Sequence, residues 1–169
     1  METSKRFNEA INKLYKAFHE NNLKPLSFQH CAVGTILDHK PYWKEFSDAN
    51  GSLQLNYVGI VHQRLERKFN GYSPLELLEI EKTFLQACGY QLPLHHTTFS
   101  SKKESKKVLF KGLEAVITLL CKLDNIPNVM DCSKLFDYDG KEFHSSQTKY
   151  QDFVGAWLFK IRWFLISES

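Results

Sequence analysis

The sequence predicts an all-α fold: a bundle of five or six helices forming one helical domain over residues 1–169. Three observations lead to it. From Tyr150 to Ile166 apolar and aromatic side chains crowd together, including Phe153, Trp157, Phe159, Ile161, Trp163 and Phe164, with Gly155, Lys160 and Arg162 between them. A helix of that pattern is apolar around most of its circumference and has to be covered by other helices or by a second chain. Near the other end, Phe7, Ala10, Ile11, Leu14, Tyr15 and Phe18 recur at helical spacing, with Lys13, Lys16 and Glu20 opposite. Between them, Ser73-Pro74-Leu75-Glu76 has the form of a capping box with proline at the first helical position. No run alternates as a half-buried strand does. The expectation is that the other helices pack around the C-terminal one.

Each element follows from local chemistry. The first helix closes at Asn21, Asn22 and Pro25. Ser27 is a candidate N-cap for a second helix through about Leu37, carrying Phe28, Cys31, Val33 and Ile36; Gly34 within it weakens the helix and admits a close backbone approach. Pro41 breaks the pattern, and residues 41–53 are irregular, with a turn at Asp48-Ala49-Asn50-Gly51. From about Leu53, the series Leu55, Val58, Gly59, His62, Leu65 and Phe69 predicts a third helix closed by Asn70-Gly71. The fourth runs from the Ser73 cap to Cys88, before Gly89. After a loop holding Pro93, His95 and His96, Ser101 and Glu104 offer a second capping box. The fifth helix then reaches about Asp124, with Leu109, Leu113, Val116, Leu120 and Leu123 on one face. Residues 129–146 read as irregular before the final helix.

Composition bounds the function. The 169 residues are 43% hydrophobic and 14% aromatic, enough for a packed core and against disorder. A net charge of +3 is too mild for a dedicated nucleic-acid domain. Four cysteines without Cys-x-x-Cys spacing argue against a disulfide framework. The N-terminal residues carry no signal-peptide pattern, and residues 150–166 are too short and too charged for a membrane span, which takes about 20 apolar residues. A cytoplasmic location is expected.

Several residues carry candidate chemistry, each beside a plainer reading. Cys31 falls within about a turn of a helix N-terminus, where N–H groups and the dipole favour thiolate. His30 is adjacent but points about 100° away, so a base has to come from elsewhere, with His62 the candidate and His95 or His96 the others. The plainer reading is a small buried apolar residue. His95-His96 lack the spacing of zinc ligands. The turns at Asp48 and Asp137 fail as calcium loops in every register, because the sixth or twelfth position is wrong. Lys102, Lys103, Lys106, Lys107 and Lys111 form a basic cluster that can meet phosphate, or simply a solvated face. Glu76, Glu79 and Glu81 have no histidine three residues on and read as a solvated acidic face.

Cys31-Ala32-Val33-Gly34, Tyr72-Ser73-Pro74-Leu75-Glu76-Leu77 with Ile80-Glu81, and Gly112-Leu113-Glu114-Ala115-Val116 resemble segments of a small bacterial helical family. The resemblance implies a helical fold and a bacterial origin, and it assigns no activity.

The function expected from the residues is a non-enzymatic module that forms a homodimer or binds a partner protein, with Trp157 and Trp163 as binding residues. Neither a cofactor nor a metal is expected. The alternatives are a thiol- or metal-dependent enzyme with Cys31 and His62 as catalytic pair, and an anion or nucleic-acid binder through Lys102 to Lys111, with Lys103 and Lys107 foremost.

Overall fold

A computed structural model describes residues 4–94 and 105–128. Among them the chain forms five α-helices, one 3-10 helix and no strand. The helices are α1 (Lys5–His19), α2 (Ala32–Ile36), α3 (Tyr57–Arg64), α4 (Pro74–Ala87) and α5 (Lys106–Leu123), with the 3-10 helix at Pro41–Phe46 between α2 and α3. The predicted packing around residues 150–166 lies outside the described residues, as do His95, His96, Lys102, Lys103, Cys132, Trp157, Trp163 and the Ser101–Glu104 pair.

α1 follows its sequence pattern. Ser4 caps it by accepting from the Phe7 amide, and Phe7, Ala10, Ile11, Leu14, Ala17 and Phe18 are buried. Asn21, at φ 55°, ends it in the left-handed conformation that asparagine tolerates. α4 also begins as expected. The Ser73 hydroxyl accepts from the Glu76 amide at 3.3 Å, and the Glu76 carboxylate accepts from the Ser73 amide at 2.7 Å.

α2 departs from expectation in its start. Residues 24–31 form successive turns, in which the Lys24 amide bonds the His30 carbonyl and the Cys31 amide bonds the Ser27 carbonyl. Ser27 is therefore occupied in the turn, and the cap passes to Cys31. The helix is five residues long and ends at Asp38 and His39, both left-handed, with φ of 57° and 63°. Lys13 holds Asp38 at 2.7 Å, and the Gln29 carbonyl lies 2.8 Å from His39 Nδ1. Gly34 explains why so short a helix is fixed. A Cβ there would stand 2.6 Å from the Gln29 carbonyl oxygen and closer still to that of Phe28. The turn that precedes α2 lies directly on the helix backbone.

The core gathers around α4, which packs against α5, α2, α3 and the 3-10 helix, while α1 covers α2 and α5. Leu77, Ile80, Phe84, Leu113, Val116, Ile117 and Leu120 fill the α4–α5 seam and are all buried. Trp43 from the 3-10 helix is buried, and its indole N–H donates to the Phe28 carbonyl at 3.0 Å. That satisfies the single polar atom a buried tryptophan carries.

Arg6 joins three helix ends. Its guanidinium bonds Asp124 at the end of α5 at 2.7 Å, the Gly71 carbonyl at 2.9 Å and Glu76 in the first turn of α4 at 3.2 Å. It also lies 4.9 Å from the Tyr72 ring centre. The Asp124 side chain is only 4% exposed, so removing Arg6 leaves a buried carboxylate with the Ser4 hydroxyl but without its counter-charge. Such losses reach about 3–5 kcal/mol in full burial, and the partial exposure of Arg6 lowers the expectation to about 2–3 kcal/mol for Arg6→Met. Urea unfolding measures it. A loss below about 0.5 kcal/mol would return Arg6 to the class of ordinary surface ion pairs.

Candidate functional site

The α2–α4 contact encloses the most unusual polar chemistry among the described residues. α2 begins at Cys31, whose thiol accepts from the Gly34 amide at 3.3 Å and lies 3.8 Å from the Phe28 carbonyl. The Glu81 carboxyl of α4 faces the same thiol closely enough that each shifts the other's titration. Cys31 is fully buried and Glu81 is 3% exposed. One turn on from Cys31, the buried Thr35 hydroxyl has no hydrogen-bond partner among the described residues, and neither has Glu81 Oε2.

Glu81 corrects the reading of an acidic solvated face. It lies four residues after Leu77 and three before Phe84, both buried, so it falls on the apolar stripe of α4. Glu76, by contrast, is a half-buried cap. Burial pushes the Glu81 carboxyl up to about 8, against which Cys31 acts weakly. At neutral pH it is a neutral acid. The Cys31 thiol is also pushed up, well above the ordinary range, first by burial and then by the charge Glu81 would carry. The amides of Gly34 and Val33 pull the other way and lose. The dipole of a five-residue helix does not offset complete desolvation, so the thiol stays protonated where a nucleophile has to ionise.

The other predicted site residues occupy separate places. His30 lies 3.1 Å from the Ser27 hydroxyl, with its ring near that of His39, and burial is the main force lowering its pKa. His62 packs between the rings of Phe46 and Phe69, at 5.3 and 5.5 Å. The polar contacts of Cys31 go to Phe28, Gly34 and Glu81, so the structure does not bring Cys31 and His62 together. Lys107 is exposed on the first turn of α5, and Lys106 lies 5.8 Å over the Phe18 ring. No group of three metal-ligating side chains converges among the described residues. A hollow of about 240 Å³ between α1 and the end of α2 is lined by Lys13, Lys16, Glu20, Asn22, Thr35, Asp38 and His39. Its lysines are engaged, Lys13 with Asp38 and Lys16 with Glu20.

The surface of α3 is the second unusual feature. Tyr57 is 81% exposed, Leu65 59%, Val58 42%, Ile60 38% and Val61 37%. Tyr57, Val61 and Leu65 recur every four residues, with Val58 beside them, and form one outward stripe about 12 Å long. Leu53 and Leu75 are also exposed, and Leu75 adjoins α3 because its amide donates to the Gln63 side chain at 3.1 Å. The inner face of α3 is Gly59 and His62. A Cβ on Gly59 would stand 2.8 Å from Leu55 and closer still to the Phe46 carbonyl oxygen, so α3 docks by its backbone. The sequence pattern counted Val58 and Leu65 on the buried side, and the structure turns them to solvent. No hydropathy signal marks a helix that docks through glycine.

Comparison with protein-family models, with curated proteins and with solved structures found no match. Among the described residues no helix is long and apolar enough to cross a membrane.

Proposed function

We propose that the chain is a non-enzymatic interaction module that binds a partner protein, or a second copy of itself, through an apolar helical surface. The observation that carries this reading is the outward stripe of α3. Water-exposed proteins seldom leave a continuous apolar patch of this kind uncovered, and where they do it usually marks a contact surface. In the same reading the apolar segment of residues 150–166, with Trp157 and Trp163, supplies further contact area, and the other helices pack around it. The buried state of Cys31 supports a structural thiol over a nucleophile.

Tyr57→Ser with Leu65→Ser tests the proposal. Exposed side chains that do not pack in the fold change stability by less than about 0.5 kcal/mol each when replaced. The double variant is expected to keep its helical circular dichroism and its unfolding midpoint within about 1 kcal/mol of the parent. In size-exclusion chromatography with light scattering, and in pull-down from solution, it is expected to lose the association that the parent shows. A variant that unfolds readily would mean the stripe belongs to the folded core. A parent that is monomeric at all concentrations and gains nothing from the stripe would end the reading.

A further inference from the structure

The charges around the α3 stripe say what kind of partner fits it. Arg64, Arg67 and Lys68 are all exposed at its C-terminal end, and Glu66 is the one acidic residue among them. None of the three cations pairs with a carboxylate among the described residues, whereas Lys5, Lys13, Lys16 and Lys44 each do. The stripe itself is two turns of apolar side chains at a spacing of four, the pattern by which one helix lies against another. An apolar strip with a cationic end is complementary to an amphipathic helix whose flank is acidic.

Resting on the interaction reading above, we infer that the α3 stripe binds an amphipathic helical segment of a partner protein, apolar on one face and rich in Asp or Glu beside it. Two other occupants fit less well. The chain's own residues 150–166 carry Lys160 and Arg162 among the aromatics, with Asp152 the only acid there. They would bring like charge to the rim. A second copy, paired head to tail along α3, would set the N-terminal end of one helix against the cations of the other. The acid fixed at that end is Asp48, which bonds Asn56 at 3.0 Å, one carboxylate for three cations.

The test uses the full chain and two designed peptides of roughly four helical turns, leucine on one face of both, with glutamate flanks in one and lysine flanks in the other. Binding is followed by nuclear magnetic resonance of the isotope-labelled protein. The glutamate peptide is expected to bind at least about tenfold tighter than the lysine peptide, to shift the amides of Tyr57 to Lys68, and to weaken several-fold from about 0.05 to about 0.5 M salt. Arg64→Glu with Arg67→Glu is expected to reverse the preference between the peptides, an outcome that mere loss of packing would not produce. Equal affinity for both peptides, binding to neither, or shifts mapping away from α3 would overturn the partner chemistry. Tighter binding to anionic phospholipid vesicles than to the glutamate peptide would also overturn it. If the peptides fail while Tyr57→Ser with Leu65→Ser still abolishes association, the interaction reading survives and only the acidic partner is lost.

Discussion

Gly34→Ala is expected to destabilise the protein by about 3 kcal/mol or more, although alanine is the better helix former by about 1 kcal/mol. The two effects oppose each other, and the contact decides. Gly34 lies within α2, where a methyl group would ordinarily reduce the entropy lost on folding. Here the methyl would meet the carbonyls of Phe28 and Gln29, the latter oxygen at 2.6 Å. These are backbone atoms, and neither has a rotamer to escape into. The Phe28 carbonyl also accepts from the Trp43 indole, so displacing it unseats a buried tryptophan. A fall in melting temperature of roughly 10 °C is expected for a chain of this size. A Gly34→Ala protein that melts at or above the parent temperature would show that the turn is not pressed on the helix.

The second large effect is a loss of stability with rising pH, carried by Glu81. Its folded-state pKa, about 8, is raised above the ordinary 4.5. Between those values the folded chain holds a proton that the unfolded chain has released, so stability falls as pH rises through the interval. The contribution is fully present below about pH 4.5 and lost by about pH 8, a difference on the order of 5 kcal/mol. Asp38 acts oppositely: its hydrogen bond to Lys13 lowers its pKa, and that stability is lost only at acid pH. Unfolding by urea at pH 3, 5, 7 and 8.5, in the parent and in Glu81→Gln, separates the two. Glu81→Gln is expected to flatten the slope above about pH 5 and to leave the acid limb unchanged. Cys31 supplies an independent readout. Because its thiol titrates well above Glu81, alkylation of the Cys31 peptide, followed by mass spectrometry, reports opening of the α2–α4 seam. Divided by the rate of the unfolded thiol at the same pH, it is expected to rise more steeply above about pH 8 in the parent than in Glu81→Gln. Identical pH profiles for both proteins would remove Glu81 as the source.

Much of the framework could be read from the residues alone, and the misses have physical causes. α1 and α4 announce themselves because apolar spacing, caps and stops agree within each segment. The Ser73–Glu76 box needs only residues three apart. The sequence places the α2 cap four residues before Cys31 because Ser27 is the better capping residue by type. The turn holding Ser27 depends on a bond from the Lys24 amide to the His30 carbonyl, which no local rule announces. The α3 pattern runs from about Leu53 to Phe69, longer at both ends than the observed Tyr57–Arg64, and it mixes the inward Gly59 and His62 with the outward Val58 and Leu65. Its inward contact is glycine backbone on a carbonyl, and hydropathy is silent about both. Charge alone points Glu81 outward, though its spacing from Leu77 and Phe84 puts it on the core stripe. In that case position was the better guide than residue type. The Cys31–Glu81 contact itself joins residues fifty positions apart, and no pattern within either helix predicts it.

Arg6 sets an order of events during synthesis. Its partners Gly71, Glu76, Leu123 and Asp124 lie 65, 70, 117 and 118 residues further along the chain. At a ribosomal pace of roughly 5–20 residues per second, the helix containing Arg6 emerges on the order of ten seconds before Asp124 does. Until then the guanidinium has only the Gly71 carbonyl and Glu76 to hold, and the α1–α5 contact has no second half. Until α5 is made, α1 lacks the part of its cover that α5 supplies, the Phe110 ring against Phe18 included.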